Sequence, residues 1–126
     1  MVRLIMGVKG SGKTKQLIEL INAAAKDEAG NVVCIEPKRD MSYNIHYNIR
    51  LIDAQEYKLN SYDLCRGFIS GLYAGNYDIT HIFIDSLTKI VPTEGYNDVE
   101  TFLNWLNRFG EKNGIKFTIT ISADIA

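Results

Sequence analysis

Residues 7 to 14 are the part of this chain that most constrains its fold. They read GVKGSGKT and match the pattern GxxxxGK followed by Ser or Thr without a gap. From average residue frequencies, such a match arises by chance in roughly one chain of this length in a few hundred. A largely apolar run from 2 to 6, interrupted by Arg3, precedes the segment, and apolar residues recur at helical spacing after it. The segment therefore predicts a strand, a glycine-rich turn and a helix in succession.

The remainder of the chain alternates short β-rich runs with longer helical patterns, which is typical of a parallel α/β sheet. Strands are predicted at 2–6, 32–35, 49–53, 82–84 and 115–121, and helices after residue 13, around 64–73 and from 98 to 113. We predict a three-layer α/β/α fold with a mainly parallel sheet of four or five strands, in which the first strand is central. With 126 residues, the chain has the length of a single domain, 1–126.

Local signals mark the ends and packing of these helices. Gly30 stands where the C-cap of the first helix belongs. The segment from Asn97 to Glu100 has the form of a capping box that opens the last helix. Gly67 and Gly71 lie inside a helical pattern, where each costs about 1 kcal/mol of helix propensity, so we expect close packing against the sheet there.

The residue types of the glycine-rich turn suit the binding of a phosphate chain. Glycines allow several backbone N–H groups to converge on one anion, and the positive end of the helix dipole points to the same place. Lys13 would reach the β- and γ-phosphates, and the hydroxyl of Thr14 would ligate Mg²⁺. The alternative is an ordinary glycine-rich connection between a strand and a helix. The expected phosphate-binding residues are Gly7, Val8, Lys9, Gly10, Ser11, Gly12, Lys13 and Thr14.

Asp85 is the second candidate for this chemistry. The strand that ends at Ile84 places its carboxylate at the carboxyl end of the sheet, where open α/β sheets bind ligands. A carboxylate in that position can hold Mg²⁺ through the water shell of the ion. The alternative is that Asp85 only forms the turn at the end of the strand.

Together the two motifs resemble the P-loop nucleoside triphosphate hydrolases, with the turn similar to their Walker A motif and Asp85 to their Walker B aspartate. The last strand, which carries Thr118, Thr120 and Ser122, resembles the extra strand that RecA-like members insert between the P-loop strand and the Walker B strand. The resemblance implies that these polar side chains lie near the γ-phosphate. Alternatively, they reflect simple alternation on a half-exposed strand.

The segment from 33 to 40, VCIEPKRD, resembles the second strand and following loop of thymidine-kinase-type enzymes. That group follows its Walker B aspartate with a glutamate that serves as catalytic base, whereas this chain has Ser86 there and lacks the group's zinc module. The difference argues against nucleoside kinase activity. A base for hydrolysis would be Glu36, Asp53 or Asp124, and Glu36 is the first choice because RecA-like relatives can place the base on a neighbouring strand. Its alternative is a solvated loop acid.

Three functions remain open at this point. The first is an enzyme that binds a nucleoside triphosphate, with ATP favoured and Mg²⁺ as cofactor, and hydrolyses it slowly. The second is a catalytically weak regulatory module, in which the nucleotide orders the loop from 38 to 48 and a partner protein binds that state. The third is a small-molecule kinase. Self-association is a further hypothesis, because it would cover an exposed edge of so small a sheet.

Composition narrows the classes of partner. A net charge of −1 and a pI near 6.1 speak against general attraction to nucleic acid or to an anionic membrane. No apolar stretch approaches the roughly 20 residues that a membrane-spanning helix needs, and residues 1–6 do not form a signal sequence, so a cytoplasmic location is expected. Cys34 and Cys65 lie outside any CxxC pattern and are expected to be buried thiols rather than zinc ligands.

Overall fold

The computed structural model describes residues 1–7, 12–40, 44–93 and 95–122. The strands are β1 (Val2–Gly7), β2 (Asn31–Glu36), β3 (Arg50–Asp53), β4 (Ile79–Ile84) and β5 (Lys116–Ser122). The helices are α1 (Lys13–Asp27), α2 (Tyr62–Gly75), α3 (Leu87–Ile90) and α4 (Tyr96–Asn113). The segment from 38 to 48, predicted to be a loop, contains no helix or strand in its described residues, 38–40 and 44–48. Within the described parts of the chain, no helix is both long and apolar enough to cross a membrane.

All five strands are parallel and lie in the order β1-β5-β4-β2-β3. The last strand of the chain therefore lies between β1 and β4, as the resemblance to RecA-like proteins implies. The expectation that the first strand is central is wrong, since β1 pairs with β5 alone among the described residues. Its apolar run is accordingly not buried on both faces: Ile5 is buried, whereas Met6 is 47% exposed. Hydrophobicity alone did not distinguish this edge strand from a central one.

The sheet separates two apolar clusters, because alternate residues of a strand point to opposite faces. On one face, Leu17 and Ile21 of α1 pack with Val32, Cys34 and Phe83 of the sheet. On the other face, α2, α3 and α4 cover the intervening strand residues, and the largest buried side chains there include Phe102 and Phe117. Helices on both faces of a parallel sheet make the three-layer α/β/α fold that the sequence predicts.

The first helix ends earlier than the sequence suggests. Its C-cap is Glu28, whose backbone N–H donates to the carbonyl oxygen of Ala24, and Gly30 lies beyond it. The prediction that Gly30 caps the helix is therefore wrong. A Cβ at Gly30 would lie 2.3 Å from the carbonyl oxygen of Asp78, so this position needs glycine because two backbone segments approach closely.

The last helix follows the predicted apolar stripe and ends at Gly114, which adopts a left-handed conformation with φ of 70°. Its N-cap is Gly95 rather than Asn97, and no side chain caps it, so the predicted capping box is not formed. The expectation of close packing at Gly67 and Gly71 of α2 is also wrong, because a Cβ at either position would meet nothing within 4 Å. The short helix α3 was not predicted from the sequence.

Candidate functional site

Polar residues lie side by side at the carboxyl end of four neighbouring strands. Ile84 of β4 is in register with Ile119 of β5 and with Ile35 of β2. The residues that follow these three therefore lie next to one another, and Glu36 is in turn paired with the last residue of β3. We call this set the carboxyl-edge row. It comprises Thr120, Asp85, Glu36 and Asp53.

Asp85 is the best anchored acid of the row. Its backbone N–H donates to the carbonyl oxygen of Ile35 at 2.9 Å, which continues the ladder between β4 and β2. Its Oδ1 accepts hydrogen bonds from the hydroxyls of Thr120, at 3.1 Å, and Ser86, at 3.2 Å. The same Thr120 oxygen accepts from the backbone N–H of Ser86 at 2.7 Å. Two hydroxyls, one from β5 and one from the residue after Asp85, thus hold the carboxylate in one orientation.

Burial raises the pKa of Asp85, since only 9% of the residue is exposed and desolvation disfavours its charged form. The hydrogen bonds from Thr120 and Ser86 and the charge of Lys89 act in the opposite direction, while the charge of Asp40 adds to the rise. A cation near Asp85 would offset the cost of burying this carboxylate. An oxygen ligand at the carboxyl end of a sheet strand is also the type that Mg²⁺ prefers.

Ser86 stands at the position where the resemblance to thymidine-kinase-type enzymes implies an acid. It has a φ of 51°, a left-handed conformation that is uncommon for a residue with a side chain, and it precedes α3. Its hydroxyl donates a hydrogen bond to Oδ1 of Asp85. This position therefore orients the candidate metal ligand and offers no general base.

Glu36 lies next to Asp85 on the neighbouring strand and is only 2% exposed. The alternative interpretation of Glu36 as a solvated loop acid is therefore wrong. Its Oε1 accepts from the backbone N–H of Asp40 at 3.0 Å, which ties the loop after β2 to the sheet edge. Burial raises the pKa of the Cys34 thiol well above its usual value, and the nearby charges of Asp85 and Glu36 raise it further. Both acids consequently lie close to the Cys34 side chain, on the α1 side of the sheet.

The end of β1 and the start of α1, which flank the glycine-rich segment, lie at the same edge of the sheet. Gly7 ends β1, Gly12 is the N-cap of α1 with φ of 85°, and the Nζ of Lys13 donates to the carbonyl oxygen of Gly7 at 2.5 Å. The side chain of Lys13 thus reaches back across the turn. Thr14 is exposed in the first turn of the helix. The candidate phosphate-binding residues Val8, Lys9, Gly10 and Ser11 lie outside the described residues.

The remaining candidates have different positions. Asp53 is at the far end of the row, where its Oδ1 accepts from the backbone N–H of Gln55 at 2.9 Å and thereby shapes the turn after β3. Asp124 lies outside the described residues.

Thr118 and Thr120 are 4% and 0% exposed, so the interpretation of β5 as a half-exposed strand is wrong. Sequence reasoning placed Thr120 near a phosphate but missed its bond to Asp85.

No protein-family model matches the chain, and no curated protein matches its sequence. Among solved structures, the fold is similar to that of the flagellar accessory protein FlaH from Methanocaldococcus jannaschii, with a TM-score of 0.64 and 13% sequence identity. The match covers 99% of this chain, which spans 62% of the FlaH chain. At this identity the likeness concerns the fold alone. It supports the α/β class predicted from the sequence.

Proposed function

We propose that the protein binds a nucleoside triphosphate, with ATP favoured, together with Mg²⁺. The observation that carries this proposal is the position of Asp85. It is a buried carboxylate held by β5, and β5 separates it from the strand that leads into the glycine-rich turn. The turn ends at the N-terminus of α1, whose buried face packs on the same side of the sheet as Cys34. An anion at the helix N-terminus and a cation beside Asp85 would therefore be neighbours.

Each residue has a distinct part in this proposal. Backbone N–H groups of the glycine-rich turn would bind the phosphates, and Gly12 has the left-handed conformation that such a turn requires. The Nζ of Lys13 would exchange the carbonyl oxygen of Gly7 for phosphate oxygens. Thr14 would ligate Mg²⁺ directly and Asp85 through water. The ion would neutralise charge on the phosphates.

Binding is tested with two lysines of the same helix turn. Lys13→Ala should weaken the binding of ATP with Mg²⁺ by about tenfold or more, which corresponds to about 1.4 kcal/mol or more. Lys15→Ala removes the same charge from an exposed position two residues further along α1 and should change the affinity by less than about twofold. Isothermal titration calorimetry measures both, and circular dichroism verifies folding. Equal losses in the two variants, or no binding by the wild type, would contradict the proposal.

We further propose that Glu36 supports slow hydrolysis as general base. Its carboxylate is buried next to Asp85, where a water that attacks the γ-phosphate could be oriented. Glu36→Gln retains an acceptor for the N–H of Asp40, so the fold should persist while phosphate release falls by about 10²–10⁴-fold. Glu19→Gln, an exposed position on α1, is the control and should release phosphate at the wild-type rate.

The regulatory module is the second candidate, and Ser86 is the observation that favours it. The position next to Asp85 holds a hydroxyl that is bonded to Asp85, where related enzymes carry an acid. Tight binding of ATP by the wild type, with no phosphate release above the Lys13→Ala background, would establish the module in place of the enzyme. Release that Glu36→Gln abolishes would establish the enzyme.

A further inference from the structure

A cavity of about 460 Å³ lies next to the carboxyl-edge row, and no residue of the proposed nucleotide site lines it. It is open to solvent on one side and is lined by the end of β2, the turn after β3 and the helix α3. Its apolar side is formed by Ala54, Leu59 and Ile90, all of which are buried. Its volume lies within the range of about 300–1,000 Å³ that is usual for small-molecule sites.

Three lysines from three separate segments surround this cavity, which we call the lysine cavity. Lys38 follows β2, Lys58 lies in the turn after β3, and Lys89 lies on α3. The residues that line the cavity include no acid, and no salt bridge joins these lysines to any residue in the described parts of the chain. The three lysines carry like charge, so an anion bound among them would lower the electrostatic energy.

The walls of the cavity are held in place by backbone hydrogen bonds. The N–H of Ala54 donates to the carbonyl oxygen of Glu36 at 2.8 Å, and the N–H of Leu59 donates to that of Ala54 at 3.1 Å. Among the described non-glycine residues, only Lys58 and Ser86 have positive φ. Lys58 lies in the turn after β3, and Ser86 directly precedes α3. Such strained conformations persist where surrounding structure enforces them, and they are concentrated at ligand sites.

We propose that the lysine cavity binds a small molecule that carries a phosphomonoester on an apolar or aromatic body. The body would contact the apolar side, and the phosphate would lie among the three ammonium groups, with the amides of Gln55 and Asn60 as further partners. This site is separate from the nucleotide site and does not depend on it. The two are electrostatically linked through Lys89, whose charge acts on Asp85.

The test uses 1-naphthyl phosphate as the probe and 1-naphthol as the uncharged control, titrated into the full chain by calorimetry. Wild type should bind the phosphate about tenfold more tightly than the alcohol or better. Lys58→Gly removes an ammonium group and also relieves the positive φ, so its thermal midpoint should not fall while its affinity drops by about tenfold. Lys89→Gln should lose affinity similarly, and the exposed Lys15→Gln should retain it.

Lys13→Ala separates this site from the glycine-rich turn and should bind naphthyl phosphate as wild type does. Wild-type affinity in both Lys58→Gly and Lys89→Gln would overturn the proposal. Loss of affinity in Lys13→Ala would overturn it too, because the phosphate would then occupy the turn. A failure of the protein to bind ATP would disprove the proposed function and leave this titration unaffected.

Discussion

The bond between Thr120 and Asp85 can be tested quantitatively with Thr120→Val, which preserves the shape of the side chain and removes its hydroxyl. Two hydrogen bonds are lost, one donated to Asp85 and one accepted from the backbone N–H of Ser86. The bond to a buried charged group contributes about 1.5 kcal/mol or more, and the orphaned N–H costs about 1 kcal/mol because Ser86 is only partly exposed. We expect the free energy of unfolding to fall by about 2–3 kcal/mol at neutral pH.

The pH dependence distinguishes this explanation from a general packing defect. Burial raises the pKa of Asp85 and the hydroxyl of Thr120 lowers it, so the variant should have an even higher pKa at Asp85. Stability linked to a raised carboxyl pKa is present below the unfolded pKa and is lost as pH rises through the folded pKa. The destabilisation should therefore be larger at about pH 7 than at about pH 4.

Urea denaturation of wild type, Thr120→Val and Thr120→Ser at both pH values provides the assay. Thr120→Ser keeps the hydroxyl and loses one methyl group, so it should cost about 1 kcal/mol with no change between the two pH values. A Thr120→Val effect that is the same at both pH values, or no larger than that of Thr120→Ser, would refute the argument.

Other outcomes follow from burial and backbone geometry. Asp85→Asn should be more stable than wild type at about pH 7, because an amide carries no charge that burial would disfavour. The gain in stability should be smaller at about pH 4, and denaturation curves at the two pH values check this. Gly67→Ala should stabilise α2 by about 0.5–1 kcal/mol, because its Cβ would meet nothing within 4 Å. Gly110→Ala should destabilise the protein by about 1–3 kcal/mol, because its Cβ would lie 2.5 Å from the carbonyl oxygen of Ile115. Thermal unfolding of the two variants tests both predictions. Burial raises the pKa of Cys65 to about 11, so iodoacetamide should modify it much more slowly in native than in unfolded protein, as mass spectrometry would show.

The layer architecture could be predicted because the strands are short and mostly apolar and the three longer helices between them carry clear apolar stripes. Val99, Phe102 and Leu106 recur at helical spacing and are all fully buried. The position of β5 next to β1 followed from the resemblance and not from the residues themselves. Strand order depends on which chain segments meet in space, and local periodicity contains no information on it.

The glycines show the limit of local signals most clearly. At Gly30 and Gly110 a Cβ would collide with backbone, yet the sequence analysis expected a helix cap at the first and no role at the second. A close approach between distant segments, such as Gly30 and Asp78, cannot be inferred from the composition around either one. Gly67 and Gly71 look similar in the sequence and face open space.

Individual residues of the candidate site could be predicted from the sequence, whereas the contacts between them could not. Asp85 could be placed because a polar residue after an apolar strand must lie at the sheet edge. Glu36 was chosen because RecA-like relatives can place the base on a neighbouring strand, but its burial next to Asp85 depends on β2 pairing with β4. Thr120 gave only a weak signal, as one of several polar residues that alternate with apolar ones along β5. The lysine cavity gave none, because its three charges come from separate segments.

The central claim is that Asp85 and the glycine-rich turn hold a magnesium ion between them. The most direct measurement is the dissociation constant of ATP with and without Mg²⁺ for wild type, Asp85→Asn and the control Asp53→Asn, which alters an acid one strand beyond Glu36 in the same row. The account predicts that Mg²⁺ tightens ATP binding by about tenfold or more in wild type and Asp53→Asn and has little effect in Asp85→Asn. The same magnesium dependence in Asp85→Asn as in wild type would contradict it.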